Sequence, residues 1–184
     1  MPSHLKNTSS GYGWMAILLH WLVALAVFSM FGLGLYMVEL TYYDAWYKGS
    51  LDLHKSAGIL LALVVAARYV WRLVNPSPSA LSANRLEHLA GHAAHLMLYL
   101  MMAALFVSGY LISTAEGHGI SVFGWFTVPA TLTGDNQEDI AGDIHRWLAW
   151  GLMGLVALHA AAALKHHFIN RDATLVRMLR RIND

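Results

Sequence analysis

The 184-residue chain contains no cysteine, and only 12% of its residues are charged. The first absence excludes disulfides, thiolate-held iron–sulfur clusters and cofactors attached through thioethers, so any metal centre must be built from histidine, methionine or carboxylates. The second, with 57% hydrophobic residues and a mean hydropathy of +0.47, excludes an ordinary soluble domain. No internal repeat and no segment with the composition of a soluble domain is visible. The whole chain, 1–184, therefore reads as a single membrane domain.

Four long apolar runs are present: Trp14 to Met37, Leu53 to Leu73, His92 to Thr114 and Ile144 to His167. Each is long enough to cross about 30 Å of hydrocarbon. In lipid an unpaired backbone is too costly, so each run is expected as a helix. The first is too long for a cleaved leader and leads into an acidic, aromatic loop without a small-residue cleavage site. The fold class expected is an all-α membrane protein, a four-transmembrane-helix bundle.

Lys and Arg flank the runs unevenly. Lys6, then Arg68, Arg72 and Arg85, then Lys165, Arg171, Arg177, Arg180 and Arg181 fall on one side, while the loops on the other carry Glu39, Asp44, Asp52, Glu116, Asp135, Glu138, Asp139 and Asp143. The positive-inside rule then makes both termini cytoplasmic. Pro76 and Pro78 end the second helix in a short cytoplasmic linker, and 168–184 forms a basic, amphipathic tail. The long outer loop, with Phe123, Trp125 and Phe126, is expected to lie at the membrane surface with an irregular tip.

Ionisable or ligating side chains inside a membrane are costly, which makes the intramembrane histidines functional candidates. His145 and His159 are fourteen positions apart, a rise of roughly 21 Å and a rotation about 40° short of four turns, so they share a face at two depths. His20 and His54 match those depths from the first and second helices. The resulting pairs are His54 with His145 toward the outside and His20 with His159 toward the cytoplasm. Two imidazoles at each of two depths suit bis-histidine ligation of two b-type haems, with His20, His54, His145 and His159 on the irons. A structural zinc site would want four ligands gathered together.

His92 and His95 share a face of the third helix, so either could replace an inner ligand. Alternatively His95 or His166 could hydrogen-bond a quinone and exchange protons with it. Lys55 beside His54 and Arg146 beside His145 could pair with haem propionates, or merely snorkel to the headgroups. Gly32, Gly34, Gly58, Gly109, Gly151 and Gly154 could admit a flat macrocycle or only close helix packing.

The chain resembles the bacterial cytochrome b561 family over nearly its whole length. The matching residues are Leu19-His20-Trp21, His54-Lys55-Ser56-Ala57-Gly58, Gly91-His92-Ala93-Ala94-His95-Leu96 with Tyr99, and His145 with Leu158-His159 through Leu164 and His166-His167. The resemblance implies a multi-pass protein of the bacterial inner membrane with two haem b groups on histidines of helices one, two and four. It also implies electron transfer between a periplasmic donor and ubiquinone, of the superoxide oxidase type, with His166 and His95 near the quinone. Membrane lipid, quinone and superoxide or a donor protein are the expected partners. Nucleic acid is not among them, and homo-oligomerisation is left open. Other relatives are haem subunits that accept electrons from a dehydrogenase or hydrogenase partner. The net acidic outer loops would suit a basic protein donor better than an anion, although Lys48, Lys55 and Arg146 offer a local basic funnel. A non-redox zinc-binding bundle is the remote alternative.

Overall fold

A computed structural model of the protein describes residues 4–79, 81 and 85–182. Four helices long and apolar enough to cross a membrane dominate it: α1 (Trp14–Val38), α2 (Tyr47–Val74), α3 (Arg85–Thr114) and α4 (Gln137–Lys165). The all-α membrane class is thus observed. A π-helical turn (His166–Asn170) continues α4, and a short α5 (Val176–Leu179) follows. The helices outrun the apolar runs, by six residues at the start of α2 and seven at the starts of α3 and α4. Hydropathy marks only the part that needs lipid, whereas the backbone ladder continues until a breaker or a cap stops it.

Those stops are local. Gly13 precedes α1 with its amide donating to Asn7 Oδ1 at 3.0 Å, and an added Cβ would run into the Leu5 and Lys6 carbonyls. Before α2, the Thr41 amide and hydroxyl both donate to Asp44 Oδ2 at 2.7 Å. These bonds, the amide's first, hold the Asp44 carboxyl below its ordinary range. At the end of α2 the Asn75 amide caps Trp71 O, and Pro76 forbids continuation.

The chain divides into two compact units. The first comprises Met1–Ala24, Val64–Tyr99 and Met153–Asp184, and the second Leu25–Leu63 and Leu100–Leu152. In the first, the tail is tied down: Trp21 Nε1 donates to Met178 O at 2.7 Å and Arg177 Nη1 to Ser79 O at 2.7 Å. Asn7 Nδ2 reaches Pro76 O at 3.0 Å, and Arg181 contacts His4.

In the second unit, the loop after α3 is more ordered than expected. It forms an antiparallel hairpin, β1 (Ile120–Val122) with β2 (Phe126–Val128), paired Ile120 to Val128 and Val122 to Phe126. Phe123 (φ 49°) and Gly124 (φ 73°) are both left-handed, as a primed hairpin turn requires. The irregular tip expected from sequence is corrected here. Ile120 and Val122 are buried, and Ser56 on α2 clamps the turn, donating to Ser121 O at 3.2 Å and accepting from the Phe123 amide at 3.1 Å. Phe123, Trp125 and Phe126 remain exposed. Many large apolar side chains of the helices, such as Leu18, Leu25, Phe28, Val107 and Leu158, are also exposed, the surface a lipid solvent accepts.

Candidate functional site

Each unit brings two half-buried histidines close together. In the first, α1 supplies His20 and α4 His159, with ring centres 6.3 Å apart and planes at 57°. In the second, α2 supplies His54 and α4 His145, again 6.3 Å apart, at 70°. A metal held by two opposed imidazoles at roughly 2 Å from each nitrogen sets the ring centres about 6 Å apart. Both pairs have that separation.

The surroundings of the second pair are close and neutral. Ser108 is buried on α3; its hydroxyl donates to Leu105 O at 3.1 Å and lies 3.0 Å from His145 Nδ1. With its proton committed, the hydroxyl accepts from the imidazole N–H, which leaves the other ring nitrogen free as a ligand. His54 Nδ1 is buried with no partner. A Cβ on Gly34 would stand 3.4 Å from His54 Cε1, and one on Gly109 3.3 Å from His145 Cε1. These two glycines keep the rings accessible. Gly58 and Gly151 pack against Met30 and Met101 instead, and a Cβ on Gly32 or Gly154 would meet nothing within 4 Å.

The surroundings of the first pair are crowded and cationic. Arg68 Nη2 lies 2.8 Å from His20 Nδ1, and the guanidinium groups of Arg68 and Arg72 stand 5.9 and 6.0 Å from the Tyr99 ring centre. The Tyr99 hydroxyl is buried without a partner. His95 lies against His159 at 5.3 Å, whereas His92 is exposed and bonds to His88 O at 2.9 Å. Of the two helix-three candidates, only His95 is brought to the site.

His166 begins the π-helical turn, a local widening often found at functional sites. Its Nδ1 lies 2.6 Å from Asp172 Oδ2. Burial pushes the Asp172 carboxyl up, but hydrogen bonds from Thr174 and His166 outweigh it and hold the group below its ordinary range. Lys55 is half-buried and lines a pocket of about 480 Å³ under the hairpin, together with Asp52, Ser56, Ser113, Ser121 and Phe123. Arg146 points elsewhere: it pairs with Asp143 at 3.0 Å, both side chains largely exposed.

Residues 11–181 match the family described as prokaryotic cytochrome b561. The chain is 52% identical to "Cytochrome b561 homolog 2" of Escherichia coli (strain K12) over 175 residues, covering 94% of this chain and 93% of that protein. It is 30% identical to the "Probable superoxide oxidase CybB" of Yersinia pestis, covering 91% and 95%. It is also 30% identical to "Cytochrome b561 homolog 1" of Escherichia coli (strain K12), covering 90% and 94%. The chain belongs to the prokaryotic cytochrome b561 family.

As a member of that family it is a multi-pass protein of the bacterial inner membrane that binds haem b and transfers electrons. The residues present fit such a group: paired imidazoles at ligating separation, an unpartnered buried His54 nitrogen, and Arg68 and Arg72 with no carboxylate partner among the described residues. Among the described residues no cluster of three or more His, Asp or Glu could hold a metal, so the zinc alternative finds no tetrahedral centre.

Sequence reasoning missed the contacts made by Arg68, Arg72, Tyr99 and Ser108. An arginine more than a full turn inside an apolar run was a signal, because a charge at that depth is costly and marks a functional candidate. Ser108 gave none, since serine in a membrane helix is common packing.

Proposed function

We propose that this cytochrome carries electrons across the inner membrane through two b haems, one on His20 and His159 and one on His54 and His145, from a periplasmic donor to ubiquinone. The observation that carries the proposal is the repeated 6.3 Å ring separation, with α4 contributing one histidine to each pair. Held by two imidazoles at each site, the haems would supply outer-sphere electron transfer in place of oxygen binding. Arg68 and Arg72 offer positive charge to the cofactor's carboxylates at the first pair, and Lys55 is the candidate at the second. Arg146, already paired with Asp143, is a weaker candidate than the sequence suggested.

Orientation follows from charge. The first unit holds nine basic and three acidic residues and the second three basic and eight acidic, so the first belongs on the cytoplasmic side and both termini with it. His95 and His166 then stand on the side where quinone is reduced. His166, paired with Asp172, is suited to hand a proton to a quinone oxygen, and Asp172 to stabilise the imidazolium that forms when His166 regains its proton.

For the donor we favour superoxide, on the pocket under the hairpin that Lys55 lines and on the likeness to a probable superoxide oxidase. Two superoxide anions would each give one electron and leave as dioxygen, while ubiquinone takes two electrons and two protons. A second reading, a basic periplasmic protein or a dehydrogenase or hydrogenase partner, is favoured by the acidic balance of the second unit.

The test is a haem assay on purified protein followed by reduction of ubiquinone with superoxide as sole donor. Two haems per chain and superoxide-dependent reduction are expected. Fewer than two haems defeats the di-haem assignment, and reduction by protein donors alone defeats the superoxide assignment.

A further inference from the structure

The two histidine pairs have opposite electrostatic surroundings. In the first unit Arg68 touches His20, and Arg68 and Arg72 both stand over Tyr99. A guanidinium does not lose its proton in a protein, so these charges are permanent. The ion pairs among the described residues are Arg146–Asp143, Lys165–Glu87 and His166–Asp172, so no carboxylate cancels either arginine. In the second unit the partner of the pair is the neutral Ser108 hydroxyl. Lys55 there shares its pocket with Asp52, Lys48 stands over Tyr42, and Arg146 is cancelled by Asp143.

Both differences act on a redox centre in the same direction. Reduction adds negative charge, so fixed positive charge nearby favours the reduced form. An imidazole that donates its second N–H, as His145 does to Ser108, is a more basic ligand and favours the oxidised form. Arg68 can only donate, so the His20 Nδ1 it contacts carries the lone pair. A neutral imidazole that ligates through Nε2 carries its proton on Nδ1. Arg68 must therefore release His20 when Nε2 takes a metal, and its charge stays in the site, free to meet a carboxylate.

We infer that the His20–His159 site has the higher reduction potential of the two and that Arg68 is the positioning residue that sets the gap. An electron is then held more tightly at the first pair than at the second, with no bond made or broken and no proton moved. This rests on the di-haem reading above.

The experiment is an optical redox titration of the haem-loaded protein in detergent, with haem stoichiometry measured on each sample. The wild type should titrate in two components. His145→Ala should abolish the lower one. Arg68→Gln should move the upper component down and leave the lower in place; Arg68→Lys, which keeps the charge, should hold the upper near its wild-type value and still bind two haems. Ser108→Ala should raise the lower component only. Loss of the upper component in His145→Ala, or an unmoved upper component in a two-haem Arg68→Gln, overturns the inference while leaving the di-haem reading intact. Should Arg68→Gln bind one haem, Arg68→Lys decides: an upper component that falls despite the retained charge overturns it. Fewer than two haems in the wild type overturns both.

Discussion

The first and second units of this protein contain the same spacing of paired imidazoles in different settings. Each presents two imidazoles 6.3 Å apart, yet one pair is flanked by arginines with Tyr99, its hydroxyl unpartnered, beneath them and the other by a serine and two glycines. The difference teaches that ligand spacing and ligand environment are separable. Spacing is what a bis-histidine centre demands, and environment is where two such centres can acquire different affinities for an electron.

The sharpest way to break the comparison is to remove one ligand from each unit in turn. His54→Ala should abolish the second haem and His20→Ala the first, each leaving about one haem per chain of the two proposed. A haem assay with reduced-minus-oxidised spectra reads this directly; retention of both haems in either variant would show that the pairs are assigned wrongly.

Smaller effects come from the supporting residues. Ser108→Ala removes the acceptor that orients His145 and should weaken haem retention at the second site by about tenfold, leaving the first untouched. Apo-protein titrated with haem measures it, and equal weakening at both sites would contradict the separation. At the pocket under the hairpin, Lys55→Glu should slow superoxide-driven reduction by about tenfold, and added salt should then speed the variant's reaction rather than slow it, as expected when attraction is turned into repulsion. Stopped-flow traces at two ionic strengths give the answer.

The smallest effect lies in the tail of the first unit. Because, against burial, hydrogen bonds from Thr174 and His166 hold the Asp172 carboxyl below its ordinary range, the ionised carboxylate contributes stability that is fully present above the unfolded-state value and is lost as pH falls through the folded value. Acidification into that window should lower the melting temperature of the wild type more than that of Asp172→Asn. The difference should amount to at most about 1 kcal/mol, because such a pair near the surface is weak. Equal acid sensitivity of the two proteins would remove His166–Asp172 from the account.

Much of this was legible before any coordinates. Lengths of apolar sequence are transfer free energies read in one dimension, and they specify four membrane helices whatever those helices touch. His145 and His159 declare their common face because both ride one helix of known pitch. The uneven placement of Lys and Arg is equally one-dimensional. Helix rotation is not: α1 is apolar nearly all round, so nothing in its pattern says which face meets a partner. Only the tertiary structure decided that His95 and not His92 approaches His159, that Arg68 meets His20, that Ser108 meets His145, and that Gly34 and Gly109 rather than the other span glycines face the rings. It also decided that the loop after α3 closes into a hairpin on Ser56. The physical reason is common to all of these: hydropathy ranks residues by their solvent, whereas a site is made by which neighbours close packing brings within hydrogen-bond reach.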